Sequence, residues 1–228
     1  NQELMKQSGC DIRSALPEME AAARQGYSVI ALGVDQQFCG FFVIADQLKS
    51  DTAQAIAQLK DMGITPVMVT GDHPLSAHAI ARQAGIDEVI AKVLPQEKGE
   101  VVKRFQKEHK VAMVGDGIND AVALTQADVG IAIGSGSDVA VESADIILMK
   151  DSIVDVATAI RLSKAVIRNI HQNLFWAFFY NSIGIPIAAG VLYAIGGPLL
   201  SPVFAGAAMA FSSVCVVTNA LRLRRFKA

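Results

Sequence analysis

The sequence predicts an α/β domain with a parallel sheet, followed by a two-helix transmembrane hairpin, and three observations carry that reading. Short apolar runs alternate with segments of helical spacing between Ser50 and Leu148, the pattern of a parallel sheet with helices on both faces. One run, Val111–Val114, ends in the glycine-flanked turn Gly115-Asp116-Gly117-Ile118-Asn119-Asp120, and α/β folds hold ligands at the carboxyl ends of such strands. From Gln172 to Leu221 there is no Asp, Glu, Lys or Arg, an uncharged length that soluble cores rarely contain.

Each element has its own signal. Ile12, Leu16, Met19, Ala22 and Ala23 are spaced for a helix over 11–25, closed by Gly26. The apolar runs Ser28–Val34 and Phe38–Ile44 flank the polar turn Asp35-Gln36-Gln37 and read as a β-hairpin. Ser50 or Asp51 can cap a helix carrying Ile56, Leu59 and Met62, stopped by Gly63. Next come a strand at Pro66–Thr70, a helix at Leu75–Ala84, a strand at Val89–Ile90 and a helix at Glu97–Glu108. Strands at Val111–Val114, Val129–Ile133 and Ile146–Leu148 follow, with helices at about Asp120–Gln126 and Asp138–Ser143 between them.

The membrane segments are Leu174–Ile195 and Val203–Leu221, each close to the ~20 apolar residues that cross a hydrocarbon core. Arg161, Lys164 and Arg168 precede the first, and Arg222, Arg224, Arg225 and Lys227 follow the second. The connecting loop has no positive charge, so both ends, and the α/β domain with them, are expected on the cytoplasmic side. The 52% hydrophobic content is therefore an average over a charged globular part, up to residue 168, and an apolar remainder. A net charge of −2 supplies no electrostatic footprint for nucleic acid. Cys10, Cys39 and Cys215 are far apart and form no C-x-x-C pair, so neither a disulfide framework nor a zinc site is suggested. His73, His78, His109 and His171 show no ligand spacing either. The chain opens on Asn1 without an initiator Met or a signal peptide, and is expected to be a piece of something longer.

Four pieces suit a phosphoryl group. Thr70-Gly71-Asp72 offers a hydroxyl and backbone amides at a strand's carboxyl end. Lys98, in Pro95-Gln96-Glu97-Lys98, is a point charge able to neutralise phosphate. Asp116 and Asp120 are hard oxygen donors suited to Mg²⁺, with Asn119 as an auxiliary polar group. Singly these are ordinary turn and surface residues; their combination in this order is distinctive.

That order resembles the phosphorylation domain of P-type ATPases, members of the haloacid-dehalogenase-like superfamily with a Rossmann-like sheet. T-G-D, P-x-x-K and G-D-G-x-N-D-A-x-A-L all occur, and the likeness continues through Ala127–Ala132, Gly134–Ala140 and Glu142–Asp145. Val122 departs from it, standing where that family usually has proline. Asn1-Gln2-Glu3-Leu4-Met5 is similar to the family's G-N-x-x-L-M, which implies that Asn1 lies near ATP. The resemblance implies three regions: residues 1–45 from a nucleotide-binding domain, 46–160 as the phosphorylation domain with Asp46 at the hinge, and 161–228 as the membrane hairpin with its basic tail. It also implies an aspartyl-phosphate formed from ATP with Mg²⁺. The nucleophile's D-K-T-G-T string is absent here, as are the T-G-E loop and the C-P-C membrane motif. The reactive Asp, and the central strand leading into it, are thus expected in a missing N-terminal part of the same polypeptide, and these 228 residues alone are expected not to turn over ATP.

The hairpin bears on the cargo. Tyr180 and Asn181 precede Pro186, whose missing N–H loosens the turn around Ser182. Met209, Ser212 and Ser213 stand at i, i+3 and i+4 and share a helix face. A thioether favours Cu(I), although Met and Ser among Gly206, Ala207, Ala208 and Ala210 also suit close helix packing. Y-N followed by M-x-x-S-S resembles Cu(I)-exporting heavy-metal P-type ATPases, which implies a Cu⁺ site, with Ag⁺ also accepted, in a bacterial cell membrane. Zinc and cadmium pumps of that group carry Lys and Asp in these helices, and this hairpin has neither. Another cation, a membrane-tethered phosphatase of the superfamily, and a non-catalytic split or relic fragment stay open as alternatives. Cys215 reads as packing.

Overall fold

A computed structural model describes residues 2–44, 48–116, 119–134, 142–150, 152–198 and 201–226. Asn1, Asp46 and most of the helix expected at Asp138–Ser143 lie outside them. The chain forms two compact units, residues 1–157 and 158–228.

The first unit opens with α1 (Gln2–Gln7) and α2 (Leu16–Arg24). The single helix expected over 11–25 is therefore shorter at its start. Pro17 falls in the first turn of α2, where its missing N–H costs nothing and its ring would block any preceding turn. The hairpin strands β1 (Ser28–Val34) and β2 (Gln37–Ile44) pair antiparallel with Val34 opposite Gln37. Asp35 and Gln36 both have positive φ, 50° and 63°, the two-residue reversal that matches strand twist. Gln37 consequently belongs to the strand, not the turn. Met5, Cys10 and Ile12 are buried beneath the hairpin and pack with Leu16, Ala31 and Phe38.

The remaining elements of this unit are α3 (Thr52–Asp61), β3 (Val67–Val69), α4 (Pro74–Ala84), β4 (Glu88–Ile90), α5 (Lys98–Gln106), β5 (Ala112–Gly115), α6 (Ala121–Gln126), β6 (Val129–Ile133) and β7 (Ile146–Leu148). All strand pairing here is parallel, as the alternation predicts, but it falls into two sheets, β3–β4 and β5–β6–β7. The helices bury apolar faces: Ala55, Ile56 and Leu59 on α3, Ala77, Ala81 and Ala84 on α4, Val102 on α5, Ala123 and Leu124 on α6.

Two contacts set how closely the last sheet packs. A Cβ added at Gly130 would stand 2.6 Å from the Leu124 carbonyl oxygen and 3.4 Å from Ala144 Cα, so β6 passes directly under the end of α6. Gly130 N–H donates to Asp145 Oδ2 at 2.8 Å, and Asp145 N–H donates back to the Gly130 carbonyl at 2.9 Å. At the same end of the sheet, on the β5 side of β6, Asp128 accepts from Lys110 Nζ at 2.7 Å, Val111 N–H at 3.0 Å and Gln106 Nε2 at 3.2 Å. The Lys110 hydrogen bond, then those from Val111 and Gln106, hold its carboxyl at about 2, below the ordinary 3.8.

The second unit contains most of α7 (Ile153–Ala188), then α8 (Val191–Ala194), α9 (Pro202–Leu221) and a 3₁₀ turn at Arg222–Arg225. The first expected membrane helix, Leu174–Ile195, is corrected at both ends. It is part of a helix beginning at Ile153, and it stops at Ala188 because Gly190 adopts φ +90°, a conformation that ends helices. The helix continues through Pro186. Among the described residues one helical stretch, Ala205–Arg225, is long and apolar enough to cross a membrane, with mean hydropathy 1.3. In α7 the side chains of Asn173, Asn181 and Ser182 dilute the apolar run.

Gly130→Ala is expected to cost about 2 kcal/mol or more through overpacking; thermal unfolding that matches the parent would contradict the close approach. The Asp128 network gives an acid signature. Its folded value lies below the unfolded one, so its contribution is complete above about pH 4 and is lost as pH falls through 3.8 toward 2. Asp128→Asn should flatten the stability curve over that interval, read by urea unfolding at stepped pH; parallel curves would remove the network's role.

Candidate functional site

In the first unit the site is assembled at the ends of β3 and β5. β3 delivers Thr70, whose N–H donates to the Ile90 carbonyl at 3.0 Å and whose own carbonyl accepts from Val93 N–H at 3.1 Å. The Thr70 hydroxyl donates to Asp72 Oδ2 at 2.8 Å and accepts from Asp72 N–H at 3.2 Å. Lys92 N–H donates to the Asp72 carbonyl at 3.1 Å. The turn is thus held on both flanks while Gly71 between them is exposed.

The second cluster centres on Lys98. Leu94 N–H donates to Glu97 Oε2 at 3.0 Å, which fixes the turn leading into α5 and places Lys98 as the first residue of that helix. A cation there faces the positive end of the helix dipole, unfavourable by roughly 0.3–1 kcal/mol. The compensation is Asp120, whose Oδ1 lies 2.5 Å from Lys98 Nζ, with the two side chains only 14% and 13% exposed. Asp120 can reach this position because residue 115 is glycine. A Cβ there would come within contact of Asp120 Oδ2 and stand 2.9 Å from Cγ. Asp120 is also the N-cap position of α6, where a carboxylate complements the dipole.

Asp116 and Asn119 are exposed at the carboxyl end of β5 and in the turn after it. Mg²⁺ requires few protein ligands, commonly one or two carboxylates, because it keeps several waters. Asp116, together with the Asp120 oxygen not bonded to Lys98, fits that donor set. Among the described residues no group of three or more His, Cys, Asp or Glu is gathered as a metal cluster. The structure therefore brings Lys98 and Asp120 together, and Thr70 and Asp72 together, as two pairs at the ends of different strands. Asn1 lies outside the described residues.

In the second unit, Tyr180 is half-buried on α7 with its hydroxyl 4.0 Å from Cys215 Sγ on α9. Cys215, expected to serve packing, is half-buried on a helical face with Ser212, Val216 and Asn219. Ser212 lies on that same half-buried face. Met209 is 74% exposed and Ser213 is exposed, its hydroxyl 3.4 Å from the Met209 carbonyl. Asn181 is exposed as well and donates to the Ala177 carbonyl at 2.8 Å. Of the five transport-site candidates, then, Tyr180 and Ser212 lie on half-buried faces, while Asn181, Met209 and Ser213 are exposed.

The buried pair predicts an unfolding signature. Lys98→Met strands a carboxylate in a shielded position and should cost about 3–5 kcal/mol. Adding Asp120→Asn should recover more than half of that; strictly additive losses in thermal unfolding would mean the pair is not coupled.

The chain is similar to known proteins over most of its length. A family model described as haloacid dehalogenase-like hydrolase matches residues 2–128. Copper-transporting ATPase 1 of Rhizobium meliloti is 53% identical over 217 residues, which is 95% of this chain and 26% of that protein. A copper-exporting P-type ATPase of Vibrio cholerae is 53% identical over 221 residues, 96% of this chain and 24% of that one. A zinc-transporting PIB-type ATPase solved in an E2.Pi state superposes with a TM-score of 0.74 at 35% identity, covering 93% of this chain and 33% of that chain. The chain spans about a quarter of the length of the curated relatives it matches. With the family model covering more than half of its residues, the chain belongs to the haloacid dehalogenase-like hydrolase family.

Proposed function

We propose that this chain is the part of a copper(I)-translocating P-type ATPase that supplies the phosphate- and Mg²⁺-handling side of the phosphorylation domain and the last membrane hairpin. One observation carries the reading. A phosphoryl-type site in an α/β unit is joined, in one chain, to helices with no charged residue from Gln172 to Leu221 but with Tyr180, Asn181, Met209, Ser212 and Ser213. The copper relatives, 53% identical over nearly the whole chain, support the cargo. The zinc-transporting neighbours at 35% and 34% identity support the architecture. Zn²⁺ is a borderline ion that readily takes Asp, Glu, His or Cys, and the hairpin offers none of these but Cys215 and His171.

In this reading the phosphorylated Asp and its strand belong to the rest of the polypeptide, at the break between β3–β4 and β5–β6–β7. Residues 1–45 would close a nucleotide-binding domain that holds ATP, with Asn1 near it. Residues 46–160 would form the phosphorylation domain with its hinge at Asp46, and 161–228 the membrane part. Lys98 carries three N–H donors, and one is committed to Asp120. The other two can meet phosphoryl oxygens while Asp120 holds the ammonium in place. Thr70 can turn its hydroxyl from Asp72 toward the same group, joined by the Gly71 amide. Mg²⁺, held through Asp116 and Asp120 with Asn119 nearby, would shield phosphoryl charge. Tyr180, Asn181, Met209, Ser212 and Ser213 would ligate Cu⁺, or Ag⁺, as cargo, and the α/β unit would face the cytoplasm of a bacterial cell.

The test is metal-stimulated ATP hydrolysis by the complete protein in membranes. Cu(I) should stimulate and Zn²⁺ should not; the reverse pattern would defeat the copper assignment. Asp116→Ala should lower the stimulated rate by about 10²-fold or more, and Met209→Ala should raise the Cu(I) concentration needed without abolishing phosphoenzyme formation from ATP. The isolated 228-residue chain should form no phosphoenzyme; a stable one would place a nucleophile inside it.

A further inference from the structure

Three asparagines on α7 and α9 occupy positions that helix propensity and apolar packing both disfavour, and every one is engaged. Asn219 Nδ2 donates to Asn173 Oδ1 at 2.9 Å, and Asn173 Nδ2 donates to Asn169 Oδ1 at 3.2 Å. Asn169 Nδ2 returns to α9 by donating to the Asn219 backbone carbonyl at 2.7 Å. A longer contact of 3.5 Å runs from Asn219 Nδ2 to the Asn169 carbonyl. Outside the ring, Asn219 Oδ1 accepts from Arg222 Nη1 at 3.2 Å. Asn169 is only 8% exposed.

Such a ring differs in kind from the contacts around it. Beyond the ring, in the uncharged stretch, the two helices carry mostly Ala, Val, Phe, Ile and Leu, and in lipid these give helices little preference for one alignment over the next, because the tails outside are equally apolar. Amides that close a ring of specific donors and acceptors do discriminate. Sliding one helix by a turn, about 5.4 Å, would break the hydrogen bonds that cross between the helices and leave half-buried amides without their partners. Asn173 and Tyr180 are seven residues apart, two turns along one face, with Ala177 between them; on α9 Asn219 and Cys215 are four apart on the face that meets them. The level at which Tyr180 meets Cys215 follows from the ring.

We infer that Asn169, Asn173 and Asn219 form a register lock that positions Tyr180 against α9 and sets which residues α7 and α9 jointly present to the transported ion. They are positioning residues, and no contact with the ion is assigned to them. Their role in transport rests on the copper reading; their role in helix register does not.

The experiment separates the two. In the full-length protein in membranes, with Cys215 as the remaining cysteine and a protease site in the loop after α8, Tyr180→Cys is linked to Cys215 with a short bismaleimide. Linked halves stay together after cleavage. Asn219→Leu and, independently, Asn173→Leu keep side-chain volume and remove the ring; each should lower linkage at least threefold. Linkage from Ala177→Cys or Gly184→Cys, a turn away on either side, should rise. In the protein with all its native cysteines, either Leu variant should raise the KM for Cu(I) by about tenfold with kcat changed less than about twofold. An unchanged linkage pattern overturns the lock, and a shifted pattern with an unchanged KM overturns its positioning role. If the parent protein is not stimulated by Cu(I) at all, the copper reading fails while the linkage pattern still decides the lock.

Discussion

The Lys98–Asp120 pair is the contact on which the geometry of the α/β site depends. Lys98 stands where its own helix disfavours a cation, and Asp120, although favoured by the dipole of α6, is shielded from water. Lys98 opposes the dipole of α5, and Asp120 without a cation would be a carboxylate shielded to 13% exposure. Single-partner loss at such a site costs several times the dipole term, so the pair outweighs the local preference against it. Its dependence on Gly115 is steric: any side chain there would occupy the space of the Asp120 carboxylate. The same bond joins the start of α5 to the loop after β5, bringing a cation that lies far from the acidic turn in sequence beside that turn in space.

This arrangement also orders the roles of the two acidic residues. A search for paired carboxylates treats Asp116 and Asp120 alike, but one is exposed at the strand end and the other is shielded beside Lys98. Asp116 is therefore the better placed to approach a cation from solvent, and Asp120 to fix the ammonium. Asp128 and Asp145, outside the acidic turn, do purely architectural work by tying β6 to its neighbours through backbone amides.

Much of the fold was legible because it is written in short-range patterns. The strands at 129–133 and 146–148 fall where apolar runs bounded by turn residues place them, and Gly85 ends α4 with φ +78° as its sequence position implies. The misses have identifiable causes. Pro17 divides what the apolar spacing joined, two left-handed residues move Gln37 into its strand, and Gly190 ends α7 inside a stretch that hydropathy alone reads as continuous. For the site, residue types were legible and partners were not. Spacing along the chain has no means of showing that Lys98 reaches Asp120 across 22 positions, or that Asn169 and Asn219 meet across 50.

Polar residues in the membrane-directed helices divide along the same line. Hydropathy counts Asn173, Tyr180, Asn181 and Ser182 as defects in α7, whereas α9 is apolar and long enough to read as a span. Yet an amide or hydroxyl survives among apolar side chains only if something satisfies it. Asn169, Asn173 and Asn219 satisfy one another, and Asn181 bonds back to its own helix. The Tyr180 hydroxyl has the longest of these contacts, 4.0 Å to a thiol, and Met209 is exposed with a soft donor and no polar demand of its own. Satisfaction thus separates the amides that hold the helices together from residues such as Met209 that carry no polar demand. In the proposed copper reading, the Met209 thioether is the soft donor of that second group.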